Sequence, residues 1–199
     1  MAVNKMNQSS LLLYIHGFNS SPQSHKANVM AEYCQTHRPD IKVITPQMAC
    51  FPEEAASQLL EIVEQHRRDY RIALIGSSLG GYLSVWLNHK FGFKAAVINP
   101  AVRPYELLQD YLGEQENPYT GQKYMLEDKH IDQLRTLDVA EIQAPTDFWL
   151  LQQEGDEILD YRDAVVRFKG AKQTVEPNGD HSFVNFERYP SQIIEFLEL

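Results

Sequence analysis

Six short stretches of this 199-residue chain read as strands, and several are apolar at nearly every position. They are 11–15 (LLLYI), 41–45 (IKVIT), 71–75 (RIALI), 94–98 (KAAVI), 146–151 (TDFWLL) and 172–176 (KQTVE). A strand with one wet face alternates polar and apolar residues. A continuous apolar run fits a strand covered on both faces, as in a parallel sheet. Helical patterns separate the runs, at 22–37, 53–69, 79–91, 158–168 and 190–198. Ser21 and Pro22 read as the N-cap and first residue of the first helix, and Pro190 opens the last. Strands alternating with helices imply βαβ units with right-handed crossovers, and so a three-layer α/β/α sandwich.

Residues 99–145 break the rhythm. The segment is too long for one crossover and contains GEQENPYTGQKY, rich in turn formers. It reads as a crossover helix plus an excursion that forms a small cap. Its tyrosines, Tyr105, Tyr111, Tyr119 and Tyr124, are candidates for lining a pocket, and equally for packing or surface roles. With no repeat, low-complexity tract or linker, the chain reads as a single domain spanning 1–199.

Hydrophobic residues make up 43% and charged residues 23%, the balance of a globular protein with a substantial core. A net charge of −9 argues against nucleic acid, whose phosphates call for clustered Lys and Arg. The run LLLYI is too short to span a bilayer. The opening MAVNKMNQSS has no apolar stretch of the kind a secretory leader needs, so the expectation is a cytoplasmic protein without a membrane partner. Cys34 and Cys50 form no CxxC pair and have no histidine at ligand spacing. They read as reduced, partly buried thiols, and no metal or cofactor is expected.

The chemistry concentrates at 74–92, LIGSSLGGYLSVWLNHKFG. Gly76-Ser77-Ser78-Leu79-Gly80 is G-x-S-x-G between a predicted strand and a predicted helix, the setting of a nucleophile elbow. A sharp strand-to-helix turn strains the central residue, and side chains two positions away would strike the neighbouring strand and helix. Glycine at 76 and 80 removes that conflict. Ser78 is thereby exposed at the carboxyl end of the sheet and at a helix N-terminus, while Ser77 points elsewhere. A phosphate loop is the rival, but GSSLGG lacks the Gly-Lys-Ser/Thr ending and no lysine follows until Lys90.

A serine hydroxyl needs a base. His181, among the turn residues of EPNGDHSFVNF after the last strand, fits best. His37, His66 and His89 fall on helical patterns, His25 sits near a helix start, and His130 in the excursion is a weak rival. The base needs a carboxylate partner. Asp156, after the strand in FWLLQQEGDEILDY, is the best candidate, with Glu154 as substitute. Asp160 falls within a helical pattern, and Asp180 adjoins His181, so their side chains diverge. The order Ser78, Asp156, His181 is that of α/β-hydrolases. In YIHGFNSS, His16-Gly17 lets a loop pass close to the site. The backbone N–H groups of Phe18 and Leu79 are candidates for an oxyanion hole, and His16 reads as a brace for the loop.

The segments IHGFNSSPQSHKA, IGSSLGGYLS, INPAVRPYELL, QEGDEILDY and GDHSF together resemble the YqiA/YcfP-like group of small bacterial esterases of the α/β-hydrolase fold. The resemblance covers almost the whole chain. It implies a trimmed fold of about six mainly parallel strands in the order 2-1-3-4-5-6. It also implies hydrolysis of carboxylic esters, with Ser78, Asp156 and His181 as nucleophile, acid and base. A short-chain ester is the expected small-molecule substrate. An acyl-CoA thioesterase is the second enzymatic reading, and a hydrolase-like binding or scaffold protein the non-enzymatic one.

Overall fold

The computed structural model describes residues 8–199. Residues 1–7, most of the stretch read above for a leader, lie outside the described residues. Among the described residues, eight strands and seven α-helices follow one another, largely in alternation. The main sheet uses β1 (Ser9–Ile15), β2 (Ile41–Ile44), β3 (Tyr70–Ser77), β4 (Ala95–Ile98), β7 (Phe148–Gln153) and β8 (Lys172–Glu176). Their order is β2-β1-β3-β4-β7-β8, with every neighbouring pair parallel. Numbered within the sheet, this is the expected 2-1-3-4-5-6.

The apolar runs are explained by two separate cores. In β1, Leu11, Leu13 and Ile15 enter one core while Leu12 and Tyr14 enter the other. β7 does the same, with Phe148 and Leu150 on one face and Trp149 and Leu151 on the opposite face. One layer is formed by α1 (His25–His37) and α7 (Pro190–Leu197), through Met30, Cys34, Ile193 and Leu197. The other contains α2 (Pro52–His66), α3 (Leu79–Phe91) and α6 (Tyr161–Arg167), through Leu59, Val63, Leu83, Leu87 and Ala164. The central strands β1, β3, β4 and β7 are dry on both sides for most of their length, so alternation disappears from their sequences, while the edge strands β2 and β8 are only partly buried.

Two helix starts differ from the sequence reading. α1 begins at His25 with Ser24 as N-cap, not at Pro22. The Ser21 hydroxyl accepts from the Gln23 N–H at 3.0 Å and the Ser21 carbonyl from the Ser24 N–H at 3.1 Å. That local turn holds 21–24 out of the helix. α6 begins at Tyr161, because Asp156 Oδ1 accepts from the Ile158 and Leu159 N–H groups, each at 2.9 Å. Asp160, read as a helical residue, is the N-cap and accepts from the Arg162 N–H at 3.0 Å.

The long segment between β4 and β7 holds α4 (Pro104–Leu107), a 3-10 turn, β5 (Gly113–Glu116), β6 (Lys123–Leu126) and α5 (Asp128–Thr136). The strands β5 and β6 form an antiparallel hairpin outside the main sheet. Sequence reading saw only an excursion here, since GEQE and KYML are too short to show a period. Of the four tyrosines, Tyr111 and Tyr119 are exposed and the Tyr105 hydroxyl donates to Asp138. Tyr124 alone lines the small cavity beside the loop after β1. Among the described residues, no helix is long and apolar enough to cross a membrane.

Candidate active site

Ser78 sits between the end of β3 and the start of α3 with φ 55° and ψ −118°. Positive φ is unfavourable for a residue with a Cβ, costing about 1–3 kcal/mol, and persists only where surroundings enforce it. Three backbone hydrogen bonds do so here. Ser78 N–H donates to the Ile98 carbonyl at 3.1 Å, and the Ser78 carbonyl accepts from Gly81 N–H at 2.9 Å and Ala101 N–H at 3.0 Å. The glycines are sterically required. A Cβ on Gly80 would lie 1.9 Å from the Ile15 carbonyl oxygen, and one on Gly76 2.3 Å from the Gly80 oxygen. Ser77 is buried within the end of β3.

The structure brings Ser78, His181 and Asp156 together. Ser78 Oγ lies 3.2 Å from His181 Nε2. His181 Nδ1 lies 2.8 Å from Asp156 Oδ2 and 3.0 Å from Oδ1. The Asp156 side chain has no solvent exposure and that of His181 has 25%. A carboxylate only accepts, so this contact assigns the imidazole proton to Nδ1. Nε2 is then the acceptor for the serine hydroxyl. The Ile158 and Leu159 amides aim the carboxylate from behind. Glu154, the substitute, is exposed, and Asp180 Oδ1 is buried without a hydrogen-bond partner among the described residues.

His16 is buried and bridges two loops. Its Nδ1 donates to the Gly17 carbonyl at 2.9 Å, and its Nε2 accepts from Met48 N–H at 3.0 Å. Burial pushes its pKa below the ordinary imidazole value, partly opposed by the bond to Gly17. Gly17 passes so close that a Cβ there would lie 3.1 Å from Ser78 Cβ. Phe18 follows it, with its ring edge-on to Tyr111 at 6.0 Å. Leu79 is the first residue of α3, where backbone N–H groups have no intrahelical acceptor. His130 belongs elsewhere: it caps α5 by accepting from Glu127 N–H and stacks on Phe51. Cys34 and Cys50 are free thiols whose pKa values burial pushes up, Cys34 to about 11.

Four residues that sequence reading missed hold the histidine loop. Asn99, fully buried just after β4, donates through Nδ2 to the Asp180 carbonyl at 2.9 Å and the His181 carbonyl at 3.1 Å. Its Oδ1 accepts from Gln153 N–H at 2.9 Å, tying that loop to the end of β7. Gln153 uses its whole amide: Oε1 accepts from Asp180 and Val184 N–H, and Nε2 donates to the Val184 carbonyl and Glu176. Glu157 accepts from His181 N–H at 3.0 Å, which holds its carboxyl below the usual range. Lys26 Nζ donates to the Ser182 carbonyl at 2.8 Å. Burial pushes that ammonium down to about 8, while Asp180 and Asp156 act in the opposite direction. All four fall within segments that carry the family resemblance, but no local pattern there marks what they do. The other sequence signal is position: Asn99 and Gln153 fall at carboxyl ends of strands.

A family model described as Uncharacterised protein family (UPF0227) matches residues 11–198. The chain belongs to the UPF0227 family. Within it, the UPF0227 protein YcfP of Salmonella newport is 26% identical over 110 residues, 53% of this chain and 59% of the relative. The match thus spans about three fifths of that relative's length. Among solved structures, alpha/beta hydrolase domain-containing protein 10 from mouse is similar with TM-score 0.69 and 17% identity, covering 98% of this chain and 97% of that one. Est1E from Butyrivibrio proteoclasticus with ferulic acid bound gives TM-score 0.70 and 17% identity, covering 96% and 89%. At such identities the likeness establishes the fold: this UPF0227 chain has the α/β-hydrolase fold, as the motifs led one to expect.

Two measurements check this architecture. Asn99→Asp keeps the shape and the acceptor but replaces the donor that grips two carbonyls. It is expected to cost about 1–3 kcal/mol in urea unfolding and to speed amide exchange at His181 and Val184; unchanged exchange would contradict the clamp. For His16, the folded-state pKa lies below the unfolded one, so the unfolded chain binds more protons as pH falls below about 6.5. The stability that neutral His16 contributes is therefore present above that pH and lost below it. Thermal melts from pH 7.5 to 5 should fall more steeply for the wild type than for His16→Gln, and parallel slopes would contradict the assignment.

Proposed function

We propose that this protein is a serine esterase that hydrolyses short-chain carboxylic esters through an acyl-enzyme. What supports the reading most is one line of contacts: the Ser78 hydroxyl at 3.2 Å from His181 Nε2, and His181 Nδ1 at 2.8 Å from a fully buried Asp156 carboxylate. Geometry of this kind suits proton transfer from serine to imidazole, with the carboxylate fixing the tautomer and stabilising the imidazolium. Ser78 Oγ attacks the ester carbonyl as His181 takes its proton. The oxyanion of the tetrahedral intermediate accepts from the N–H groups of Phe18 and Leu79, each worth about 3 kcal/mol to the transition state. His181 returns the proton to the leaving alcohol. Water, deprotonated by His181, then attacks the acyl-Ser78 ester; the Ser78 Oγ–acyl bond breaks, His181 returns the proton to Oγ, and the acid is released.

The moving atoms all belong to substrate, Ser78, His181 and water, so the scheme calls on no cofactor. In this reading the whole chain acts as one hydrolase domain, with 99–145 serving as crossover and small cap. Est1E, a structural neighbour, holds ferulic acid, and a carboxylic acid is the class of product expected here too.

The test is a panel of p-nitrophenyl acetate, butyrate and hexanoate with acetyl-CoA and butyryl-CoA. Simple esters should be turned over faster than the CoA thioesters. Ser78→Ala should lower kcat by about 10⁴-fold or more while leaving the circular dichroism spectrum and melting temperature near wild type. Wild-type rates in Ser78→Ala would remove Ser78 from the mechanism. Preferential turnover of the CoA substrates would make the protein a thioesterase.

A further inference from the structure

We propose that the small cavity beside Ser78 receives the acyl chain, and that Tyr124 from the β5–β6 hairpin sets the longest chain it accepts. This rests on the esterase reading and specifies its substrate. The cavity has a volume of about 30 Å³ and is lined on one side by Gly17, Phe18 and Leu79. These residues flank the hydroxyl: an added Cβ on Gly17 would lie 3.6 Å from Ser78 Oγ. Ser78 itself does not line the cavity, so an acyl group on that oxygen reaches it past Gly17 and Leu79. Met48 and Leu83 give it apolar walls that belong to the packed core.

Tyr124 has a different origin. It comes from the hairpin, outside the main sheet, and with Asn117 of the hairpin turn lines the cavity on the cap side. Its position is fixed at both ends. The hydroxyl donates to Asn19 Oδ1 at 2.7 Å, and the ring meets Phe51 edge-on at 5.7 Å. Burial pushes its pKa well above the ordinary phenol value, so the hydroxyl remains a donor throughout the working pH range. A second tie, from Asn117 Nδ2 to the Ser20 carbonyl at 2.9 Å, fastens the hairpin to the same loop. The loop that carries Gly17 and Phe18 is thus latched to the wall that limits the cavity.

The volume favours a short acyl chain. A cavity of this size holds roughly two or three water-sized probes, enough for an acetyl or propionyl chain. A hexanoyl chain enters only if Tyr124 moves or is removed. Each additional methylene that finds an apolar site then contributes roughly fourfold to binding.

The experiment compares wild type, Tyr124→Ala and Tyr124→Phe in two assays. The first is kcat/KM on p-nitrophenyl esters from acetate to hexanoate. The second is NMR titration with the straight-chain carboxylates acetate to hexanoate, which mimic the product and need no turnover. Wild type and Tyr124→Phe should favour two- and three-carbon chains in both. Tyr124→Ala should raise the hexanoate-to-acetate ratio of kcat/KM about tenfold or more. Should Tyr124→Ala fail to fold, Tyr124→Leu makes the same comparison. A folded variant with an unaltered chain-length profile overturns the proposal, as does a wild type that takes hexanoate as readily as acetate. If no ester is turned over but the carboxylate series shows the length switch, the cavity assignment stands and the esterase reading falls. Carboxylate binding independent of length removes the assignment whatever the ester result.

Discussion

Ser78 is held where an L-residue does not rest unaided, at φ 55° between a strand and a helix. The rest of the site depends on that enforced turn. It exists because β3 is clamped between β1 and β4, and because α3 packs its apolar residues onto the same core. The Gly80 backbone then lies against the β1 carbonyls with no room for a side chain. The local strain of about 1–3 kcal/mol is small beside the burial of the surrounding strands. The sheet can therefore hold a hydroxyl outward at its carboxyl edge, with the first N–H groups of a helix beside it.

The proposed base is positioned by a different kind of interaction. His181 stands on a loop after the last strand, and loops tolerate motion that a hydrogen bond of 3.2 Å does not. Here Asn99 and Gln153, both buried at strand ends, convert that loop into a fixed element by pairing with its backbone. A fully satisfied buried amide network rigidifies its surroundings, whereas a half-satisfied one is costly. The carboxylate of Asp156 is fixed by the same logic: two backbone N–H groups orient it, and those bonds also delay the start of α6.

The sequence made the frame legible because its physics is local and periodic. Dry strands such as LLLYI and FWLLQQ lose alternation, and the Gly76–Gly80 spacing around Ser78 has one steric explanation. His181 and Asp156 were reachable because both follow strands within turn-rich segments. The hairpin was not, since its strands are four residues each, too short to show a period. The early starts expected for α1 and α6 failed because Ser21 and Asp156 bond backbone groups that a helix would have used. Asn99, Gln153, Glu157 and Lys26 act on residues more than twenty positions away, and no window along the chain contains both partners.

The central claim is that the Ser78 hydroxyl is activated by His181. The most direct measurement is the rate of labelling by a fluorophosphonate, with the modified residue located by mass spectrometry. The account predicts a single adduct on Ser78 in the wild type, forming at least about a hundredfold more slowly in His181→Ala. An unlabelled Ser78 in folded protein, or equal rates with and without the imidazole, would contradict it.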